Sequence, residues 1–208
     1  MANSLQIGPD IWRARLGGRR VVVSYSGGKD SAAVCGALRA EGVEFDAVWF
    51  DTGWESADTY TFISEYGAQV VGKPIIRLAA GLPVPDGLAD ECAELEGMLG
   101  RRSDMIRRCL KYACLPYRLQ RWCTRDLKLT PFARWARSQG PFVNAIGVRA
   151  AESKARSRLD DWEQHPALGE VEVWRPIFRW SEDDVIAAHH EYGLPVNPLY
   201  LRGSRRVG

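Results

Sequence analysis

The sequence lacks the features that mark membrane, secreted or fibrous proteins. No stretch reaches the ~20 consecutive apolar residues of a membrane-spanning helix, and residues 1–18 contain no apolar segment typical of a secretory signal. The composition also excludes collagen, coiled coil and wholesale disorder. With 46% hydrophobic and 26% charged residues over 208 positions, the chain is expected to form one globular domain, residues 1–208, whose core needs no disulfides.

Cysteine is scarce and odd in number. The five cysteines are Cys35, Cys92, Cys109, Cys114 and Cys123. Without a secretory signal the expected location is the reducing cytoplasm, where metal or redox roles outrank disulfides. The last three are separated by four and eight residues, which is not the spacing of a zinc ribbon. Nearby arginines predict lowered thiol pKa values there, which would suit sulfur transfer or iron binding, and buried or idle thiols are the alternative.

Lysine is scarce as well, with 5 Lys against 23 Arg, and the net charge of +2 hides an uneven distribution. Residues 101–137 carry eleven basic and two acidic side chains, a net of +9, whereas the rest of the chain carries 17 basic and 24 acidic ones, a net of −7. Residues 86–100 hold five acids and no base. Because arginine suits phosphate, and tyrosine and tryptophan are interleaved, the basic segment predicts a nucleic-acid surface. The alternative is a solvated face, partly paired with the acidic segment.

Short β-branched runs alternate with single helices along the chain. Strands are predicted at 20–25, 45–50, 74–78, 142–148 and 171–178, and helices at 30–41, 57–66 and 181–192. Gly67 is expected to stop the second helix, and Ser181 with Asp184 to form a capping box for the third. This alternation indicates a three-layer α/β fold, with a mainly parallel twisted sheet of about five strands and helices on both faces.

Three further structural expectations concern single segments and residues. Residues 81–100, which are rich in glycine and proline, are predicted to form a loop or lid. Residues 101–137 are predicted to be mostly helical, with Pro116 and Pro131 at helix starts. Cys35, Trp49 and Trp174 are expected in the core, and His189 and His190 on the surface of the last helix.

The strongest motif follows the first predicted strand. It reads Ser24-Tyr25-Ser26-Gly27-Gly28-Lys29-Asp30-Ser31. The glycines allow a tight turn and close approach of a ligand, and the first N–H groups of the next helix face that turn. Hydroxyl groups add donors. The motif therefore predicts a phosphate site at the carboxyl end of the first strand, although it is not a Walker loop.

Five motifs in register resemble the ATP pyrophosphatase superfamily and, within it, the phosphoadenylyl-sulfate (PAPS) reductase family. Ser26-Gly27-Gly28-Lys29-Asp30-Ser31 resembles the PP-loop; the others are Asp51-Thr52-Gly53 with Thr59, Tyr60, Phe62 and Ile63; Cys123-Thr124-x-x-Leu127-Lys128-x-x-Pro131; Gly147-Val148-Arg149-Ala150-Ala151-Glu152-Ser153-x-x-Arg156; and Trp180-Ser181 through Asn197-Pro198-Leu199-Tyr200, with Gly203 and Gly208. The resemblance runs from about Val21 to Gly208 and implies an adenine nucleotide α-hydrolase-like fold.

Two features separate the sequence from the reductases of that family. Its PP-loop is intact, whereas theirs is typically degraded, and no cysteine follows Cys123 to match their tail nucleophile. The resemblance therefore implies an enzyme that splits ATP into AMP and pyrophosphate and activates an acceptor, nucleic acid being the expected one, for sulfur insertion, as in DNA phosphorothioation or tRNA thiolation. The alternatives are a thioredoxin-linked PAPS or adenylyl-sulfate reductase, and a non-catalytic nucleotide-binding subunit of a larger complex.

The same resemblance implies roles for individual residues. The implied catalytic residues are Lys29, Asp30, Lys128, Arg149 and Arg156, with Arg158 as a further cation at the α-phosphate. The implied cofactor-binding residues are Ser24, Ser26, Gly27, Gly28, Lys29, Asp30, Ser31, Asp51, Thr52, Gly53, Gly147, Arg149 and Glu152. Glu152 would orient an arginine, and Asp51 would meet the adenosine or the metal.

The implied cofactors are ATP with Mg²⁺, for which Asp30 is a candidate ligand or outer-shell partner. Several relatives bind a four-iron cluster through four cysteines. Cys109, Cys114 and Cys123 are the candidates for a 4Fe-4S cluster here, with Cys92 as a fourth ligand. The expected partners are nucleic acid through residues 101–137, a sulfur-donor protein such as a cysteine desulfurase, and a second copy of the chain in a homo-oligomer.

Overall fold

A computed structural model describes residues 5, 7, 11–117 and 119–207. Its strands are β1 (Val21–Ser24), β2 (Phe45–Phe50), β3 (Ile76–Leu78), β4 (Val143–Ile146), β5 (Trp162–Gln164) and β6 (Glu172–Trp174). Its helices are α1 (Ile11–Leu16), α2 (Lys29–Ala40), α3 (Ala57–Val71), α4 (Ala89–Leu99), α5 (Asp104–Tyr112), α6 (Trp122–Thr124), α7 (Thr130–Ala136), α8 (Glu182–Glu191) and α9 (Pro198–Leu201). A π-helical turn, Arg125–Leu129, joins α6 to α7, and three 3₁₀ turns lie at Ala150–Glu152, Arg156–Arg158 and Pro166–Leu168.

The strands form one six-stranded sheet in the order β3-β2-β1-β4-β6-β5. Every neighbouring pair is parallel except β5 with β6. Alternate residues of β1 face opposite sides: Val21 and Val23 pack with α1, α2, α3 and α8, and Val22 packs with α7. The three-layer α/β prediction is therefore confirmed, with six strands instead of about five.

The strand order reverses at β1, and this reversal positions the site. The chain runs outward from β1 to β2 and β3, then returns to place β4 on the other side of β1. Ser24 at the end of β1 is level with Val48 of β2 and Ile146 of β4. The loops that follow β1 and β4 therefore meet at the carboxyl edge of the sheet, where open α/β sheets form a crevice.

The helix end predicted at Gly67 and the loop predicted at residues 81–100 are wrong, and the strand predicted at 171–178 is limited to Glu172–Trp174. Helix α3 runs past Gly67 and ends at Gly72, whose φ of 86° makes it the left-handed cap. Gly67 instead allows close packing, because a Cβ there would lie 2.6 Å from Cδ1 of Ile75. Residues 81–100 are not a loop throughout, since α4 occupies Ala89–Leu99. Helix α4 buries Cys92 alone among its residues, so its sequence does not need the repeated apolar spacing by which a helix is recognised.

The sequence pattern also missed one strand and misplaced one helix start. Strand β5 has three residues, too few to produce a recognisable alternation, and pairs antiparallel with β6 at the edge of the sheet. Pro116 does not begin a helix; an isolated bridge joins Tyr117 to Gln120 there. Pro131 does lie in the first turn of α7, although the π-helical turn leads into it. Helix α8 has the predicted N-cap Ser181 and its capping box.

None of the helices in the described part of the chain is both long and apolar enough to cross a membrane.

Candidate functional site

The loop between β1 and α2 is held in shape by its own hydroxyl groups. The Ser31 hydroxyl donates to the carbonyl of Gly28 (3.0 Å) and accepts from the backbone N–H of Ser26 (3.1 Å). Gly27 has a φ of 75°, which favours glycine, and Gly28, the N-cap residue of α2, has no side chain with which to cap the helix. The loop therefore places the N-terminus of a helix at the carboxyl edge of the sheet, where an anion could bind. Ser24 lies apart, its hydroxyl donating to Asn144 of β4 (2.9 Å).

Asp30 and Arg149 form the central ion pair of the site. Nε of Arg149 lies 2.5 Å from Oδ1 of Asp30, and the Arg149 side chain is 6% exposed. Gly147 makes this approach feasible, because a Cβ there would lie 2.8 Å from backbone atoms of Asp30 and Ser31. The predicted binding residue Gly147 thus brings the loop after β4 against the start of α2.

Glu152 joins the same network from the 3₁₀ turn that follows Arg149. It accepts a hydrogen bond from the Arg149 backbone N–H (2.9 Å) and pairs with Arg156. Burial alone would raise the pKa of Glu152, but these two contacts outweigh it and the pKa lies below its ordinary value. Glu152 therefore stays ionised and orients Arg156, with Arg206 a further 3.8 Å partner.

A cleft of about 920 Å³ opens beside this network. It is lined by Lys29, Asp30, Arg149, Ala151, Glu152, Ser181, Glu182, Val185, Ile186, His189, His190, Leu194, Val196, Tyr200, Gly203, Ser204, Arg205 and Arg206. Four of these side chains are arginine or lysine and three are acidic, which leaves a cationic excess for a phosphate ligand. Of the predicted site residues, Lys29, Asp30, Arg149 and Glu152 line the cleft, whereas Lys128, Arg156 and Arg158 do not, although Arg156 pairs with Glu152 of its wall. The other predicted binding residues also lie outside the lining: Ser24, Ser26, Gly27, Gly28, Ser31, Asp51, Thr52, Gly53 and Gly147.

Lys29 is held from several sides. Its Nζ lies 3.3 Å from Glu182 and donates to the Arg205 carbonyl (3.4 Å). Its carbonyl is 2.9 Å from Nε2 of His189. The prediction that His189 lies on the surface is therefore wrong: it is 8% exposed, whereas His190 is exposed. His189 follows Val185 and Ala188 on the buried face of α8, at the spacing that could have identified it.

Asp51, Thr52 and Gly53 organise a second turn at the end of β2. The buried Asp51 carboxylate accepts from the Tyr60 hydroxyl (2.5 Å) and the Gly53 N–H (2.9 Å), and it pairs with Arg77. Burial and the bond to Asp51 raise the Tyr60 pKa. The Thr52 hydroxyl donates to Glu55 (2.8 Å). These three predicted binding residues thus have hydrogen-bond partners within the protein. The ion pair of Asp51 with Arg77 could not be predicted from the sequence pattern.

Gly53 has a separate packing role. Its φ is 77°, and a Cβ would lie 2.4 Å from Cα of Ser103 and 2.7 Å from the Arg102 carbonyl. The turn after β2 therefore contacts the start of α5, which connects the site to the basic segment.

Cys35 lies in the core, whereas Cys109 lies near Cys114 and Cys123. Cys35 and Trp49 are buried as predicted, as is Trp174, and burial raises the Cys35 pKa to about 12. The prediction of lowered thiol pKa values is wrong for Cys109, whose pKa is raised by burial and by Cys114 and Cys123 nearby. Within the described ranges no three His, Cys, Asp or Glu side chains converge as a metal site.

About half of the basic side chains in residues 101–137 make internal contacts. Glu96 pairs with Arg107 (2.8 Å), and this hydrogen bond holds the pKa of Glu96 below its ordinary value. Asp126 pairs with both Arg108 (3.1 Å) and Arg125 (2.6 Å). The Arg101 guanidinium lies over Tyr60 (4.3 Å), and Arg102 pairs with Asp104 (3.4 Å). Arg118 lies outside the described residues.

Comparisons with known proteins agree with this fold. The family described as the phosphoadenosine phosphosulfate reductase domain matches residues 20–81 and 100–208. An uncharacterised 37.8 kDa protein of Escherichia phage 186 is 29% identical and covers 90% of this chain. The adenosine 5'-phosphosulfate reductase of Allochromatium vinosum is also 29% identical over 90% of this chain. The chain spans 65% and 66% of the lengths of these two relatives.

Two solved structures share the fold at low sequence identity. The phosphoadenylyl-sulfate reductase of Candida auris, in a phosphate complex, has a TM-score of 0.59 and 16% identity, covering 90% of this chain and 80% of that one. The FMN adenylyltransferase of Candida glabrata, with FAD and inorganic pyrophosphate, has a TM-score of 0.55 and 13% identity, covering 99% and 60%.

Proposed function

The chain belongs to the phosphoadenosine phosphosulfate reductase domain family, and from that premise we propose that it is an ATP-dependent enzyme. In this proposal the loop at residues 26–31 binds the β- and γ-phosphates of ATP. The enzyme releases pyrophosphate and transfers AMP to an acceptor oxygen. A sulfur nucleophile then attacks the acceptor atom that bears this oxygen, and AMP leaves with the oxygen and its bonding electrons. Nucleic acid is the proposed acceptor.

One observation carries the proposal: the intact Ser-Gly-Gly-Lys-Asp-Ser loop lies at the N-terminus of α2, where the N-cap residue Gly28 has no side chain. It combines a left-handed glycine, the positive end of a twelve-residue helix and Lys29 in one turn. The ion pair of Asp30 with Arg149 fixes the adjoining cation at the same edge of the sheet. These groups suit a polyphosphate better than a ligand with a single phosphate.

The ion pair of Asp30 with Arg149 also limits how Asp30 could bind Mg²⁺. Because Asp30 is already bonded to Arg149, its carboxylate fits an outer-shell position on an ion held mainly by the phosphates. Mg²⁺ commonly keeps several waters and uses only one or two carboxylates in nucleotide sites, so the described residues are compatible with it. The ion would neutralise phosphate charge. Cys109, Cys114 and Cys123 do not fit a four-iron cluster, because the described residues contain no group of three His, Cys, Asp or Glu side chains that could hold a metal.

In the first reaction step the protein's side chains stabilise the charge that develops as AMP is transferred. The acceptor oxygen attacks the α-phosphorus, the bond from that phosphorus to the bridging oxygen breaks, and pyrophosphate carries the electron pair away. Lys29 and Arg149 stabilise the charge that develops, and Glu152 keeps Arg156 within reach. A sulfur-donor protein, for which a cysteine desulfurase is the proposed class, would supply the sulfur. Lys128 is half-buried and outside the cleft, so a role for it would require contact with the acceptor.

Pyrophosphate release from ATP tests the proposal, with DNA, tRNA or sulfate offered as acceptor. We expect release to depend on one nucleic acid and to fall at least a hundredfold in Asp30→Ala, the scale of one lost electrostatic group in an active site. Asp86→Ala, an exposed aspartate outside the cleft, is the matched control. ATP binding that is unchanged after Lys29 and Asp30 are both replaced by alanine would overturn the assignment.

A second candidate rests on the relatives. The proteins of Allochromatium vinosum and Synechococcus that align with 90% and 95% of this chain are named adenosine 5'-phosphosulfate and phosphoadenosine 5'-phosphosulfate reductase. That candidate predicts sulfite formation from adenylyl sulfate or PAPS with thioredoxin as reductant, and no pyrophosphate release. A third, a nucleotide-binding subunit, predicts ATP binding without release of pyrophosphate under any of these conditions.

A further inference from the structure

Tyr200 of α9 reaches the N-terminus of α2. Its phenolic oxygen accepts a hydrogen bond from the backbone N–H of Lys29 (3.1 Å), the first N–H of that helix. A Cβ on Gly28 would lie 3.1 Å from both the Tyr200 hydroxyl and the Val207 carbonyl. The hydroxyl thus occupies a donor that the loop would otherwise offer to a phosphate oxygen.

The base of α9 is firmly anchored near the loop. Asn197, which is 2% exposed, caps α9 and donates from Nδ2 to the Gly27 carbonyl and to Thr59 (both 3.3 Å). Arg202 pairs with Asp58 of α3 at 2.7 Å. The anchored helix α9 therefore positions Tyr200 at the loop.

The segment that follows, residues 203–207, covers Lys29. The Lys29 ammonium donates to the Arg205 carbonyl and lies 4.9 Å from the Tyr200 ring centre. Burial raises the pKa of Tyr200, so the group stays a neutral hydroxyl at neutral pH. A neutral hydroxyl oxygen is a weaker acceptor than a phosphate oxygen, because charge-assisted hydrogen bonds are stronger. The contact is therefore replaceable by an anionic ligand.

We propose that the Tyr200 hydroxyl and residues 203–207 compete with the phosphates of the ligand for the Lys29 N–H and ammonium. Tyr200 would then set the affinity of the loop: polyphosphates, which gain several contacts, displace it, and a single weak anion does not. This inference rests on the proposed function, because it takes the loop at residues 26–31 to be the phosphate site.

The test is a calorimetric titration of the full chain with inorganic pyrophosphate. Tyr200→Phe keeps the ring and removes the hydroxyl, and Tyr192→Phe, a half-buried tyrosine whose ring packs on Gly36, is the matched control. We expect the Kd of Tyr200→Phe to fall about fivefold, the factor that one hydrogen bond of ~1 kcal/mol gives at 1.4 kcal/mol per tenfold. The control should bind as wild type does, and melting curves verify that both variants fold.

Hydrogen exchange on the wild-type protein gives a second reading. Adding pyrophosphate should slow exchange at residues 28–31 and speed it at residues 203–207, since the segment is displaced. An unchanged or higher Kd in Tyr200→Phe, or slower exchange at residues 203–207, would overturn the competition while leaving the proposed function intact. If pyrophosphate binds neither protein, the phosphate site itself is wrong and the competition fails with it.

Discussion

Replacing Gly147 by alanine tests how the loop after β4 holds the loop at residues 26–31. The new Cβ would lie 2.8 Å from the Asp30 carbonyl carbon and the Ser31 nitrogen, and 2.9 Å from the Asp30 oxygen, where contacts below 3.0 Å are essentially never found. All three atoms are backbone, so no side chain can rotate away. We expect a cost of roughly 2 kcal/mol for this overpacking, which lowers the Tm by about 4–8 °C in a domain of this size.

The same substitution should weaken nucleotide binding, because the start of α2 must move away from β4. Thermal unfolding and titration with ATP measure the two effects separately. Gly97→Ala is the control, since nothing lies within 4 Å of its Cβ position and it sits inside α4; alanine there should stabilise the protein by ~0.5 kcal/mol or more. A Gly147→Ala protein that melts and binds as wild type does would refute the close-packing argument.

Two further predictions concern ionisable groups. Glu96→Gln should cost about 1 kcal/mol at pH 7, because the Arg107 hydrogen bond keeps the folded pKa of Glu96 below its unfolded value. That stabilisation is present above the unfolded pKa and is lost as the pH falls through the folded one. The urea midpoints of variant and wild type should therefore draw together as the pH falls below about 4.3, the ordinary glutamate pKa, with exposed Glu94→Gln as the control; a difference that does not shrink with falling pH would contradict the sign. In alkylation followed by mass spectrometry, Cys35 should react only after unfolding, and Cys109 more slowly than a free thiol at neutral pH; a faster Cys109 would contradict its raised pKa.

Strand and loop positions near the centre of the sheet were predictable because local pattern and tertiary environment agree there. The run Val21–Ser24 is buried on both faces, and the predicted β2 matches Phe45–Phe50 residue for residue. Gly27 marks the loop at residues 26–31 because its φ of 75° favours glycine, whereas Gly28 has an ordinary extended backbone and is tightly packed. The family motifs located Arg149 and Glu152, and the structure brings both to the same cleft.

The errors arise where a distant part of the chain decides the outcome. Gly67 reads as a helix stop, but its missing side chain makes room for Ile75. His189 reads as a surface residue, but the Lys29 carbonyl and the α2 surface bury it. The coverage of the loop by Tyr200 and residues 203–207 depends on contacts across 171 positions of sequence, which no local pattern reports.

The internal ion pairs reduce the number of basic side chains in residues 101–137 that a polyanion could contact. Arg101, Arg102, Arg107, Arg108 and Arg125 bind carboxylates, a carbonyl or an aromatic ring within the protein. In the described part of the chain, five basic side chains of this segment have no acidic partner: Lys111, Arg121, Lys128, Arg134 and Arg137. A polyanion would therefore meet about half of the charge that the composition suggests, on the surface of α5 to α7. Arg107 joins α5 to Glu96 of α4, and Arg101 donates to the Glu55 carbonyl in the turn after β2, so part of the +9 charge stabilises the packing of these elements.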